Sequence, residues 1–273
     1  MSAAAKSIAI FGGAGFLGRK ICENGIALGY SVISFTRLGS PPANLAKEPW
    51  VSKVNWQKGN IFEPETYKAQ LRQVDAVVHS IGMLFENTNY KKTLNSNVNF
   101  LNDVQNLANS LKGSNPMQRN SFNTYGAVQR DSAVLLADEF VKQFKSAHEN
   151  STDKPAFVYI SADKNPPIVP KEYITTKREA EFELMSKPDL RTIVLRPGIM
   201  YDAKAASLTP RGILTLMTQL GHATKQVVVG DQVSFLNDLV RPPVSTDKVA
   251  FTLYDLLEDK LFSGICTLDE MAL

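Results

Sequence analysis

The chain has 273 residues, 44% hydrophobic and 21% charged, an ordinary balance for a globular protein with a sizeable core. Its formal charge of +3 is too small to argue for nucleic acid, and no apolar run approaches the roughly 18 residues that a membrane span needs. Two distant cysteines (Cys22, Cys266) and three scattered histidines (His79, His148, His222) make neither a disulfide framework nor a metal centre, so no metal is expected and the compartment reads as reducing.

The leader 1–6 is too short for a targeting peptide. Ser7 to Phe11 then reads as a buried strand that stops at glycines, and Phe16 to Gly29 reads as a helix. Glycines stand at 12, 15 and 18, with an extra one at 13. A pyrophosphate needs donors at close range. Glycines let the backbone turn sharply and the phosphates approach, and a helix N-terminus offers N–H groups and a positive dipole end. Gly12, Gly13, Ala14, Gly15, Phe16, Leu17 and Gly18 are therefore candidate cofactor contacts.

Tyr30 to Thr36 is the second strand, with Arg37 at its end. In dinucleotide folds an acidic residue there binds the ribose 2′-hydroxyl of NAD, and an arginine accommodates the 2′-phosphate of NADP. Arg37 thus favours NADP(H) over NAD(H); the alternative is a solvated loop arginine. The Pro-rich segment Leu38 to Trp50 reads as irregular loop. Val54 to Lys58 is a third strand, followed by Gly59-Asn60-Ile61 and a helix from Pro64 to Gln73. In related folds a polar residue at the Asn60 place faces the adenine edge, so Asn60 and Ile61 are candidates, with a simple turn as the other reading. Asp75 to Ser80 is the fourth strand. Ser80, Ile81 and Gly82 end it where open parallel sheets bind ligands.

Residues 83 to 124 read as an excursion over the site, with a helical stretch from Thr93 to Leu111. Apolar spacing predicts a helix from Ala127 to Phe144. Ala156 to Ile160 is the fifth strand, with Ser161 at its end. Tyr173 and Lys177 open a helix that runs through Met185, and Thr192 to Leu195 is a sixth strand closed by Arg196-Pro197-Gly198. Further on come a helix from Thr209 or Pro210 to Leu220, a strand from Gln226 to Val229, and a last helix from Thr246 to Leu257. Ile213, Leu214, Leu216, Met217 and Leu220 make one apolar face. It reads as core, or as the lining of a channel for an isoprenoid tail or a peripheral membrane contact.

Tyr173 and Lys177 are four residues apart and share one helix face. A tyrosine hydroxyl has an unperturbed pKa near ~10, and a neighbouring ammonium lowers it. The same lysine can hold a nicotinamide ribose. Tyr173 can then move a proton to or from a substrate oxygen, with Ser161 hydrogen-bonding that oxygen.

The glycine turn, Ser161, the YITTK stretch at 173–177 and RPG after a strand together resemble the short-chain dehydrogenase/reductase superfamily, in its extended and atypical branches. The segments at 159–164, 173–181, 196–202 and 236–246 are similar to the fungal mitochondrial coenzyme Q biosynthesis members of the atypical branch. A more distant similarity is to the NAD(P)H-binding accessory subunits of respiratory complex I. The resemblance implies catalytic roles for Ser161, Tyr173 and Lys177, and cofactor contacts from Lys177, Pro197 and Gly198. It also implies the matrix face of the mitochondrial inner membrane, an apolar substrate such as a quinone precursor, and the coenzyme Q biosynthetic complex as partner. Many family members carry an asparagine early in the helix before the serine-bearing strand. Asn97-Val98 lies 64 residues before Ser161, whereas Gln129 lies 32 before it and fits the fold better. With glutamine there, the water relay that asparagine supports is altered.

The expected fold is α/β: a Rossmann-type, doubly wound parallel sheet over residues 1–198, with a small C-terminal cap over 199–273 whose final helix returns to the sheet. Two functions follow. One is an NADP(H)-dependent oxidoreductase acting on a quinone-pathway intermediate or another apolar carbonyl or alcohol. The other is a cofactor-binding subunit that stabilises or regulates the coenzyme Q assembly without turnover.

Overall fold

The computed structural model describes residues 6–84, 124–149, 151–165, 169–203 and 241–272. Seven strands form one parallel sheet: β1 (Ser7–Phe11), β2 (Ser31–Thr36), β3 (Asn55–Lys58), β4 (Ala76–His79), β5 (Ala156–Ile160), β6 (Arg191–Leu195) and, from the far end of the chain, β9 (Gly264–Cys266). Their order is β3-β2-β1-β4-β5-β6-β9. A second, two-stranded parallel pair joins β7 (Met200–Tyr201) to β8 (Val244–Ser245). Among the described residues the α-helices are α1 (Gly18–Ala27), α2 (Lys68–Leu71), α3 (Ser132–Ala147), α4 (Glu172–Met185), α5 (Thr246–Glu258) and α6 (Leu268–Ala272).

The strands are nearly continuous apolar runs because helices cover both faces of the sheet. Alternate residues separate the two cores. Ile8 and Ile10 of β1 join Ile21 of α1 and Val249, Leu253 and Tyr254 of α5 on one face. Ala9 and Phe11 join Leu71, Leu136, Phe140 and Leu184 on the other. The Tyr254 hydroxyl donates to the Ile21 carbonyl at 2.8 Å, which ties α5 to α1. Ser245 caps α5 by accepting from the Lys248 N–H at 3.0 Å. At the other end Arg191 donates to the Leu256 and Leu257 carbonyls, satisfying groups that a helix C-terminus leaves open.

Two expectations need correction. The helix expected from Pro64 to Gln73 is a 3-10 turn (Pro64–Thr66) followed by the single turn of α2, because Tyr67 takes φ −143° and breaks the spiral. The helix expected from Ala127 opens as a π-helical turn, Gly126–Asp131, before α3 begins. The sheet also carries a seventh strand, β9, which the sequence reading did not include. The stretches Thr93–Leu111, Thr209–Leu220 (with its apolar face) and Gln226–Val229, and Asn97-Val98, lie outside the described residues. Among the described residues no helix is long and apolar enough to cross a membrane.

Candidate functional site

The strand order reverses between β1 and β4, and the glycine turn lies at that switch point, outside the carboxyl ends of the strands. Gly12 has φ +95°, open to glycine, and a Cβ there would lie 2.8 Å from the Ser80 carbonyl. The turn closes through the Gly15 N–H, which donates to the Gly12 carbonyl at 2.8 Å. A Cβ on Gly18 would stand 2.1 Å from that same carbonyl, so α1 can approach the turn only with glycine there. Gly13 is buried against Ser34 and Cys22, and Leu17 sends its side chain into the core. Ala14 and Gly15 form the exposed apex. No side chain caps the N-terminus of α1. A backbone cradle at an uncapped helix start fits a pyrophosphate.

Other candidates sit as follows. Arg37 is exposed at the end of β2. Ser80 and Ile81 lie half-buried against Gly12, with Gly82 exposed beyond them. Asn60 is engaged in its own turn: its Oδ1 accepts from the Phe62 N–H at 3.2 Å and its Nδ2 donates to Glu63 at 2.7 Å. Ile61 packs against the second core and its carbonyl accepts from the Tyr67 hydroxyl. The Pro197 carbonyl accepts from the Asp163 N–H at 2.9 Å, and a Cβ on Gly198 would meet Leu268 at 2.9 Å. That closeness at Gly198 serves packing with α6.

Tyr173 and Lys177 occupy the buried face of α4. Tyr173 packs among Met83, Tyr125, Ala162 and Val169, with the Tyr125 ring edge-on at 6.2 Å. Lys177 Nζ lies 5.7 Å from the Tyr173 ring centroid and 5.3 Å from that of Tyr159, and donates to the Ile160 carbonyl at 2.9 Å. Burial pushes the Lys177 ammonium down to about 7, against the pull of the Glu181 carboxylate and with a further push from Arg178.

Ser161 is not a free donor. Its hydroxyl donates to Glu181, a fully packed carboxylate on α4, and accepts from Arg178 at 3.2 Å. Arg178 and Arg196 also bind Glu181. Burial raises the Glu181 carboxyl, but hydrogen bonds from Arg196 and Ser161 and the two guanidinium charges outweigh it and hold the group below its ordinary range. Sequence reasoning missed Glu181, although its place four residues after Lys177 was a readable helical signal. It also missed Asp163, which accepts two of the Arg241 contacts, at 2.7 and 3.1 Å.

The Gln129 position is built by the π turn. Gln129 is fully buried, its Nε2 donates to the Met83 carbonyl at 3.0 Å, and its carbonyl accepts from the Tyr159 hydroxyl at 2.9 Å. Its Oε1 has no partner among the described residues. His79 lies alongside, its ring tilted on Tyr159. The Ser132 hydroxyl donates to the Val128 carbonyl, so His79 Nε2 must donate to Ser132, at 2.8 Å. Burial, with Lys177 nearby, pushes the imidazole down to about 3, so His79 is neutral.

With this geometry in place, the comparisons agree on the kind of chain this is. The NAD dependent epimerase/dehydratase family matches residues 8–148. MIOREX complex component 2 of Saccharomyces cerevisiae is 36% identical over 270 residues, covering 96% of this chain and 97% of that one. A short chain dehydrogenase of Leptospira borgpetersenii with bound NAD+ superposes with a TM-score of 0.61 at 13% identity, covering 97% of this chain and 92% of that one. FolM alternative dihydrofolate reductase 1 of Brucella canis, complexed with NADP, gives 0.59 at 13%, with 97% and 93% covered. At such identities the two structures speak for the fold alone.

Proposed function

The chain belongs to the NAD dependent epimerase/dehydratase family, within the extended short-chain dehydrogenases/reductases, and on that premise we propose that it is an NADP(H)-dependent oxidoreductase acting on an apolar carbonyl or alcohol, such as a coenzyme Q precursor. One observation carries the reading: Lys177 Nζ lies 5.7 Å from the Tyr173 ring centroid and donates to the last residue of β5, at the same carboxyl end of the sheet as an intact glycine turn. Gly12 to Gly18 and the start of α1 would hold the pyrophosphate, and Arg37 the 2′-phosphate. Lys177 would hold the nicotinamide ribose. The bound cofactor supplies or accepts a hydride. Tyr173 moves the matching proton at the substrate oxygen, and the Lys177 ammonium favours its phenolate form. Mitochondria and the inner-membrane matrix face follow from the family resemblance.

A second reading has its own support. Ser161 spends its only proton on Glu181, so a substrate oxygen would receive no hydrogen bond from it. A dinucleotide-binding subunit that stabilises an assembly without turnover fits that arrangement, and the yeast relative is named as a complex component. The coenzyme Q biosynthetic complex is the partner we propose in that case.

Two variants separate the readings in cells lacking the protein. Tyr173→Phe keeps the ring and Lys177, so NADPH binding should stay nearly unchanged while any turnover is lost. Gly15→Asp puts a carboxylate at the apex of the turn and should abolish binding. Loss of coenzyme Q in both supports the oxidoreductase. Full rescue by Tyr173→Phe at native expression level refutes it and leaves the cofactor-binding subunit.

A further inference from the structure

Glu181 has no part in the reaction as drawn, yet it is among the most heavily engaged side chains in the molecule. It is 3% exposed and lies one turn beyond Lys177 and two beyond Tyr173, on the same face of α4. Ser161 and Arg178 donate to its Oε1, and Arg196 Nε reaches both oxygens at 3.1 Å. Arg178 is itself anchored, donating to the carbonyls of Ala162 at 2.9 Å and Asp163 at 2.7 Å.

The groups around Lys177 come from four elements. On α4 they are Tyr173, Arg178 and Glu181; on β5, Tyr159. From β4 comes His79, which is neutral, and the residue following β6 is Arg196, whose guanidinium is bound to Glu181. Glu181 is the one carboxylate in this set. Residues four apart on a helix are neighbours, with Cβ atoms about 5–6 Å apart. An opposite charge at such range favours the ionised form of a buried group.

We infer that Glu181 is a positioning residue for the proton-transfer pair: it is the anion that holds up the proton affinity of the buried Lys177, and it draws Ser161 to itself and away from any substrate oxygen. The inference rests on the roles given to Tyr173 and Lys177 above. A serine hydroxyl has one proton to donate. With that proton on Glu181 and a lone pair taken by Arg178, Ser161 serves the carboxylate. The carboxylate in turn opposes burial, which otherwise drives the Lys177 ammonium toward its neutral amine.

The test is the titration of Lys177 in the full chain labelled with [ε-13C]lysine and followed by NMR, the signal assigned by its loss in Lys177→Arg. Glu181→Gln should lower the midpoint by about one pH unit, a tenfold loss of proton affinity, and Glu181→Asp should restore most of it. Arg178→Gln, which removes an opposing positive charge at a partly exposed position, should raise the midpoint. An unchanged midpoint in Glu181→Gln overturns the inference. If that variant does not fold, an unchanged or lowered midpoint in Arg178→Gln overturns it instead. NADPH fluorescence titrations supply the second readout. Glu181→Gln should bind NADPH several-fold more weakly than the parent at pH 7.5 and approach it at pH 5.5, where Lys177 is protonated in both. Equal weakening at both pH values marks a structural role only. If the parent chain binds neither NADPH nor NADH, the functional reading fails, while the NMR midpoints still decide the Glu181 assignment.

Discussion

Lys177 couples pH to stability, and the sign of that coupling follows from its burial. Its ammonium is pushed from an ordinary 10.5 down to about 7 in the folded chain. Between those values the unfolded state binds more protons, so this residue makes the cofactor-free fold more stable as pH rises from about 7 toward 10.5. Below 7 the full penalty is present. Urea unfolding of the parent should therefore gain stability over that window relative to Lys177→Met, and parallel curves would refute the assignment. Arg37 allows a cleaner binding test. Losing one charge-assisted contact to a phosphate costs about 1.5–3 kcal/mol. Arg37→Ala should thus weaken NADPH roughly tenfold or more and leave NADH nearly untouched, as read by fluorescence titration. Equal affinity of the parent for both cofactors would remove the basis for an NADP(H) preference. At this scale the placement of Tyr173 and Lys177 on one helix face was readable, because it depends on helical spacing alone. The direction of the Ser161 hydroxyl was not, since it depends on a carboxylate twenty residues on and on two arginines from different elements.

Among the elements, α1 and the turn before it carry the tightest steric constraint. An alanine at 18 would place its Cβ 2.1 Å from the Gly12 carbonyl, and backbone cannot step aside as a flexible side chain can. Gly18→Ala should cost about 1–3 kcal/mol in a urea denaturation series and weaken dinucleotide binding by pushing the helix start away from the turn. Little change in either would mean that α1 has room the geometry denies. The first six strands were legible in sequence because both faces of a parallel sheet are covered, which writes them as short apolar runs. The π turn at Gly126–Asp131 was not, since one wide turn barely disturbs an apolar stripe. Nor were β7, β8 and β9, two or three residues each, whose pairing depends on partners far away in the chain.

Across the whole molecule, the described residues on either side of 204–240 are tied to distant parts of the chain. Asp202 meets Arg19 at 2.9 Å beside the glycine turn, and Arg241 grips Asp163 just after β5 while also reaching Asp269 of α6 at 3.1 Å. Just outside these contacts in sequence, β7 pairs with β8. Arg241→Ala leaves the Asp163 carboxylate without its bidentate partner. Amide hydrogen exchange should then rise in residues 241–245 and in α6, with β1 to β4 protected as before. Uniform protection in the variant would mean that Arg241 holds nothing in place. The sheet, too, depends on a late arrival. β9 follows β6 by about 70 residues, yet it is β9 that pairs the outer edge of β6. At roughly 5–20 residues per second of translation, that edge stays open for about 4–14 s on the ribosome. An unpaired strand edge is a template for pairing with another chain. Nascent chains of this protein therefore pass through an interval in which chaperone cover matters most, and a slow codon run between β6 and β9 would lengthen it.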